Sequence, residues 1–354
     1  MLLNHKVVTD MIKSKNNEKN QGDIHLLRVG VVYAVLVVLL ALLVLVSVSI
    51  GSAGYSFSKV ISSVFFGGEQ DTTRTVVLNL RLPRVVLAVL IGAALSASGA
   101  LLQAVMRNPL ADPGTIGVSA GAGTASITIL LIFPNLTLSL PLFAFVGAGL
   151  ACVLIYTLAW KDGVDPVRII LSGVAINSVL GGYNSLLQLM NSDNLSGVLA
   201  FMSGSLSGLS WMHVRIMSVY AVVGLVLALL CIRHANALQL GDMMAKNLGI
   251  RVNASRVCLS AVSAFLAAAT VSVAGMIGFV GLVIPHIARM LVGSDYKVML
   301  PTSILLGGAA LLFADTIGRT IVPGMEIPVG VVMSVAGGPF FLYMLRKRGK
   351  FNGC

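Results

Sequence analysis

The chain has 354 residues, 57% of them hydrophobic and only 10% charged, where a soluble domain carries about 25% charged residues. That composition excludes a soluble globular enzyme and specifies an all-α polytopic membrane protein. The net charge of +11 is then a topology signal, because Lys and Arg collect in cytoplasmic loops. No basic, aromatic-studded soluble segment is present to bind nucleic acid.

Residues 1–25 are rich in Lys and Asn and read as a polar cytoplasmic tail. The apolar run from Leu26 to Ile50 is longer than the about 7–15 residues of a signal-peptide core. It reads as an uncleaved first crossing, its start held inside by Lys6, Lys13, Lys15, Lys19 and Arg28. Residues 51–80, with Gly, Ser and aromatics, form an outer segment. The second crossing opens on Arg81-Leu82-Pro83-Arg84 and runs apolar to Arg107, long enough for the about 20 residues that a spanning helix needs. Within it Gly92, Ser96, Gly99 and Gln103 share one helical face. A face of small and amide residues meets other protein or a pore rather than lipid, which makes Gln103 a candidate for a translocation path. Asn108 to Gly114 is a polar turn with two prolines.

Crossings three, four and five fall at about 114–133, 138–160 and 167–190, with Lys161, Asp162, Asp165 and Arg168 on the inner side. Residues 191–210 are too polar to span and read as an outer loop with a short helix at 197–202. A sixth crossing at about 212–232 leads into the charged loop 233–256, which Arg233, Lys246, Arg251 and Arg256 assign to the cytoplasm. That loop reads as two short helices broken at Gly241 and ended by Gly249. Crossings seven to ten follow at about 257–275, 277–293, 298–318 and 327–345. Arg346-Lys347-Arg348 then anchors the C-terminus inside, with 349–354 as a short tail. Ten crossings with both termini cytoplasmic result. Arg74, Arg81, Arg84 and Arg319 fall on the outer side, against the charge bias. Gly99 precedes Pro109, and Gly275 precedes Pro285, by the same spacing, which raises an inverted repeat of crossings two to five and seven to ten.

On the fifth crossing Asn177, Gly181, Asn184 and Gln188 form a stripe, with Tyr183 and Ser185 beside it. Two readings stand: a pore wall for a large polar solute, or hydrogen bonds between helices. His286 and Arg289 lack companions of metal-ligand type, so His286 reads as structural. Asp315 and Arg319 are placed to pair across one helical turn, and Glu326 reads as a favourable charge at the start of the tenth crossing. The four cysteines stand singly, with neither metal-site nor disulfide spacing. There is no phosphate-binding loop or catalytic constellation, so ATP energy would have to come from another subunit.

Several stretches carry a resemblance when taken together: RLPR (81–84), GAALSASGALLQAVMRNPLADPGTIGVSAGAG (92–123), LSGVAIN (171–177), LGDMMAKNLGI (240–250), GMIGFVGLVIPHIARMLVG (275–293) and ADTIGRTIVPGMEIPVGVVMSVAGGPFFLYML (314–345). They resemble the FecCD-type permeases, membrane subunits of ABC importers for iron–siderophores, haem and cobalamin. The resemblance implies a transport subunit of the bacterial cell membrane, not an enzyme. It pairs with a second permease, identical or paralogous, and carries no cofactor or metal. It implies two ATPase subunits that bind ATP and Mg, and an extracytoplasmic substrate-binding protein. By motif match, Leu238, Leu240, Gly241, Asp242, Met243, Ala245, Lys246, Leu248 and Gly249 would couple to the ATPase, with Asp242 and Lys246 as polar contacts. Arg81, Arg84 and Arg319 would meet glutamates of the binding protein. The path would run along the dimer axis past Asn177, Gly181, Asn184, Gln188 and Gln103. An iron chelate, siderophore or haem, is the expected cargo, moved by alternating access; cobalamin is the alternative. An ion-coupled secondary transporter is the rival class, and it needs acidic or histidine relays inside the membrane.

Overall fold

The computed structural model describes residues 27–50, 62, 72–114, 116–161, 163–192, 195–322 and 324–349. The expected N-terminal tail, residues 51–61 and 63–71 of the expected outer segment 51–80, and residues 350–354 lie outside them; the remainder of that segment, from Thr72, is helical and forms the start of α2. The described elements are all helical: α1 (Leu27–Ser49), α2 (Thr72–Met106), α3 (Val118–Ile132), α4 (Leu140–Ala159), α5 (Pro166–Met190), α6 (Leu195–Ser203), α7 (Trp211–Leu230), α8 (Ile232–Gln239), α9 (Asp242–Asn247), α10 (Val252–Ala274), α11 (Val280–Val292), α12 (Tyr296–Thr320) and α13 (Val329–Gly349). Within α2, Val77–Arg81 is a single π-helical turn.

Seven of these helices are long and apolar enough to cross a membrane, and three shorter apolar ones fill the remaining expected positions. The 15 residues of α3 and the 13 of α11 reach only about 20 Å at 1.5 Å per residue, short of a hydrocarbon core of about 30 Å. Irregular backbone precedes both. Non-helical backbone at that depth must find partners in the protein, and it does. Asn177 donates to the Gly114 carbonyl, the Met276 amide to the Phe201 carbonyl, and the Ser205 amide to the Ala274 carbonyl. Phe279, in the left-handed region at φ 67°, caps α11 and lays its ring where a side chain on Gly337 would have to sit.

The centre is α2, with 83% of its most apolar window buried against 11% for α5. Its small-residue face packs against protein on every level. A Cβ on Gly92 would overlap the Gly307 backbone of α12, and one on Gly99 the Gly281 backbone of α11. Hydroxyls close the same seams: Ser96 donates to the Ser303 carbonyl at 2.7 Å, Ser263 of α10 to the Ser98 carbonyl at 2.9 Å, and Tyr296 to the Ala100 carbonyl at 2.7 Å. Such close backbone approach is how helices associate where lipid supplies no hydrophobic drive. The two glycine–proline spacings differ locally. Gly99 is mid-helix and Gly275 ends α10 at φ 74°, while Pro109 lies in a turn and Pro285 inside α11. They do not by themselves mark a repeat.

The expected loop 233–256 is mostly helix. Cys231 keeps helical geometry between α7 and α8, and α10 begins at Val252, so Arg256 belongs to it. Cys231 and Cys258, separate in sequence, have their sulfurs 3.9 Å apart across α7 and α10.

Candidate functional site

Two ends of the bundle concentrate the polar chemistry. At the first, Arg84 of α2 reaches Asp315 of α12 through Nε, at 3.0 and 3.1 Å, and through a terminal nitrogen at 2.9 Å. Its other terminal nitrogen donates to Glu326 at 2.7 Å. Arg319, one turn beyond Asp315, approaches the same carboxylate at 3.1 Å and donates to the Ser47 carbonyl. Arg81 donates to the carbonyls of Val48 and Ser49 at 3.0 and 2.8 Å. The last carbonyls of a helix lack internal partners, so these two guanidiniums cap α1.

The arginines expected to stand exposed for docking are therefore internal: Arg81, Arg84 and Arg319 are 5%, 8% and 5% exposed. The expected pairing of Asp315 with Arg319 is present, but the bidentate partner is Arg84, 231 residues away in sequence. Glu326 acts through Arg84 rather than through a helix end. Burial pushes its carboxyl up, but the hydrogen bond and charge of Arg84, with further help from Arg319, outweigh this and hold it below the usual carboxylate range. Sequence reading missed Arg215, an exposed cation near the start of α7 at this end. Trp211 fixes that start by donating to the Leu78 carbonyl at 2.9 Å.

At the opposite end, Gly241 at φ 95° and Gly249 at φ 74° bracket α9, as the breaks in the sequence predict. Leu238 and Ala245 are buried and pack the element onto the bundle, whereas Leu240, Met243, Met244 and Leu248 are 57–78% exposed. Lys246 is exposed as well. Asp242, expected as an outward polar contact, is instead held by Arg256 at 2.9 and 3.1 Å and by Arg107 at 3.5 Å. Arg107 ends α2 in the left-handed region, at φ 47°, and its guanidinium lies against Gly241 and Asp242 at the start of α9.

Gln103 borders a cavity of about 300 Å³ with Arg107, Asn108, Gln239 and Arg289. It is 3% exposed and clamps α2 to α11, donating to the Gly281 carbonyl at 3.1 Å and accepting from Arg289. The α5 stripe is mixed in its surroundings. Asn177 donates to the Gly114 carbonyl, while Gly181 and its neighbour Gly182 look onto open space. The side-chain oxygens of Thr124 on α3 and of Asn177 and Asn184 on α5 are buried without a hydrogen-bond partner, as is that of Ser126 on the other face of α3. Gln188 is half-buried, and Tyr183 and Ser185 are exposed. Polar side chains on a weakly buried spanning helix belong against protein or water, not lipid. No cluster of three or more His, Cys, Asp or Glu able to hold a metal occurs among the described residues.

These features define a polytopic helical membrane protein. The chain belongs to the FecCD transport family, whose model matches residues 39–347. A Fe(3+)-citrate import system permease protein of Bacillus subtilis is 37% identical over 313 residues, covering 88% of this chain and 93% of that one. A hemin transport system permease protein of Yersinia pestis is 38% identical, covering 90% and 96%. A cobalamin import system permease protein of Halobacterium salinarum is 39% identical, covering 79% and 76%. The solved structure of a metal-chelate type ABC transporter in an inward-facing conformation superposes with a TM-score of 0.80 at 27% identity, covering 90% of this chain and 99% of that one.

Proposed function

We propose that this chain is one membrane half of a binding-protein-dependent ABC importer that carries an iron chelate, siderophore or haem, into the bacterial cytoplasm. Cobalamin is the alternative cargo. The observation that carries the reading is the exposed apolar tip of Leu240, Met243, Met244 and Leu248 beyond the spanning helices. A projecting cluster of that kind marks a protein contact. An ATPase cleft is the partner that fits, with α8 and α9 on the cytoplasmic side and both termini there too. ATP and Mg then reside in the two ATPase subunits.

A second permease, a copy or a paralogue, covers α5, and the chelate passes along the seam where Asn177, Gly181, Asn184 and Gln188 lie. Unpartnered oxygens there hold water rather than a tight ligand, so a bulky polar solute slips past. The binding protein docks at the arginine end. Arg81, Arg84 and Arg319 supply a positive field from beneath, and exposed Arg215 offers a direct contact. ATP-driven closure of the ATPases moves α9 and, through Asp242, the ends of α2 and α10, so the seam opens alternately to either side. An ion-coupled carrier fits less well. Among the described residues, the acid within a spanning helix is Asp315, and two guanidiniums clamp it.

The test is ATP hydrolysis by the permease co-purified with its ATPase, with and without binding protein. Met243→Asp/Leu248→Asp, both exposed, should abolish co-purification and leave the fold intact. Undiminished ATPase binding by that variant would refute the assignment of the tip.

A further inference from the structure

Two cavities lie along one seam of the molecule. The first, about 690 Å³, opens at the α8–α9 end. Five cations, Arg107, Lys161, Lys246, Arg251 and Arg256, line it against two carboxylates. Those carboxylates are already engaged: Asp242 by Arg256 and Arg107, Asp165 by the Val167 amide and, at 3.9 Å, by Arg168. The side chains of Lys161, Lys246 and Arg251 are exposed and have no ion pair among the described residues. Arg256, 4% exposed, keeps a buried Nε without an acceptor.

The second cavity, about 490 Å³, runs between α4 and α10 and is walled by Val153, Tyr156, Trp160, Val257 and Ala261. It lies next to the first, with no lining residue in common. On α10, Asn253 and Ala254 line the charged cavity, and Val257 and Ala261 the apolar one. Steps of three and four residues keep all of these on one helical face. On α4, Trp160 ends the apolar groove and Lys161 begins the charged mouth. Trp160 is 55% exposed at the junction, the position interfacial aromatics favour.

We propose that this seam binds an anionic phospholipid, its phosphate at Lys161 and Arg251 and one acyl chain in the α4–α10 groove. The shape selects the occupant. Basic pockets at helix ends suit phosphate headgroups, and guanidinium forks pair with phosphate oxygens. A small anion would leave the groove empty, and an acidic protein loop has no access to a groove that opens between spanning helices. Because Lys246 and Asp242 share the mouth, the bound headgroup steadies α9 from the membrane side. The proposal needs only that the chain spans a membrane and does not depend on the importer reading.

The experiment measures binding to the full chain in neutral detergent micelles, read by native mass spectrometry and by the fluorescence of Trp160. Probes are dioleoyl phosphatidylglycerol, dioleoyl phosphatidylcholine and glycerol phosphate. Phosphatidylglycerol should bind at least tenfold more tightly than phosphatidylcholine. Lys161→Ala/Arg251→Ala should weaken it about 30-fold, from the contribution of each cation near a charged headgroup. Ala261→Trp, which fills the groove and leaves every cation in place, should weaken it as well. Equal affinity for the two lipids, or unchanged binding in both variants, would overturn the proposal. So would glycerol phosphate binding as tightly as the lipid, which would make this a small-anion site. Full displacement of phosphatidylglycerol by a co-purified ATPase would make it a protein interface instead.

Discussion

Asp315→Asn removes the charge on which two buried guanidiniums converge while keeping the volume of the side chain. The Asp315 side chain is 1% exposed, that of Arg319 4% and that of Arg84 10%. After the change, Arg84 retains Glu326 as a counter-charge, whose side chain is 34% exposed. Arg319 retains its hydrogen bonds to Ser47 and the more distant charge of Glu326. Breaking a buried ion pair by removing one partner costs about 3–5 kcal/mol, chiefly because the remaining charge stays buried and uncompensated. Asp315→Asn should fall in that range. Glu326→Gln, at a partly solvated pair, should cost less than about 1 kcal/mol. Unfolding in mixed micelles, followed by the fluorescence of Trp211 beside this cluster, measures both. The triple change Arg84→Met/Asp315→Leu/Arg319→Met should recover most of the loss, since apolar replacement of a whole buried ion cluster is often neutral. The reasoning fails if Asp315→Asn costs no more than Glu326→Gln, or if the triple variant is no better than the single one.

Other outcomes follow from the same contacts. Gly99→Ala drives a methyl group into the Gly281 backbone, so α2 and α11 must separate; a loss of about 1–3 kcal/mol is expected, against a few tenths for Gly149→Ala, which meets nothing. Glu326 is held below the usual carboxylate range in the fold, so its contribution is full above the unfolded value of about 4.3 and is lost as pH falls through the folded one. Comparing acid unfolding of wild type and Glu326→Gln should show that difference vanish at low pH; a gap that widens on acidification would contradict it. Asp242→Ala strands the buried Arg256 and should cost about 1–3 kcal/mol. In the assembled transporter it should also lower stimulated ATP hydrolysis while basal hydrolysis persists; equal losses of both would count against a coupling role.

The sequence by itself determined what crosses a membrane and where the chain breaks. Apolar runs placed the seven long spanning helices and the three shorter apolar ones, Gly241 and Gly249 marked the limits of α9, and the small residues Gly92, Ser96 and Gly99 announced a packed seam. These are local properties: hydropathy over one helix length, and the backbone freedom of single glycines. Which polar group meets which was decided only in three dimensions. Arg84 lies 231 residues from Asp315, Gln103 178 from Gly281, and nothing periodic links such partners. Gln103 shared a helical face with glycines that pack, and it turned out to be a clamp between helices; nothing in its spacing separated that from a pore residue. The arginines against the charge bias were legible as anomalies. That they lie buried, balanced by Asp315, Glu326 and the carbonyls ending α1, follows from an environment where an unpaired charge is too costly to keep, and only the packing of α1, α2 and α12 creates that environment.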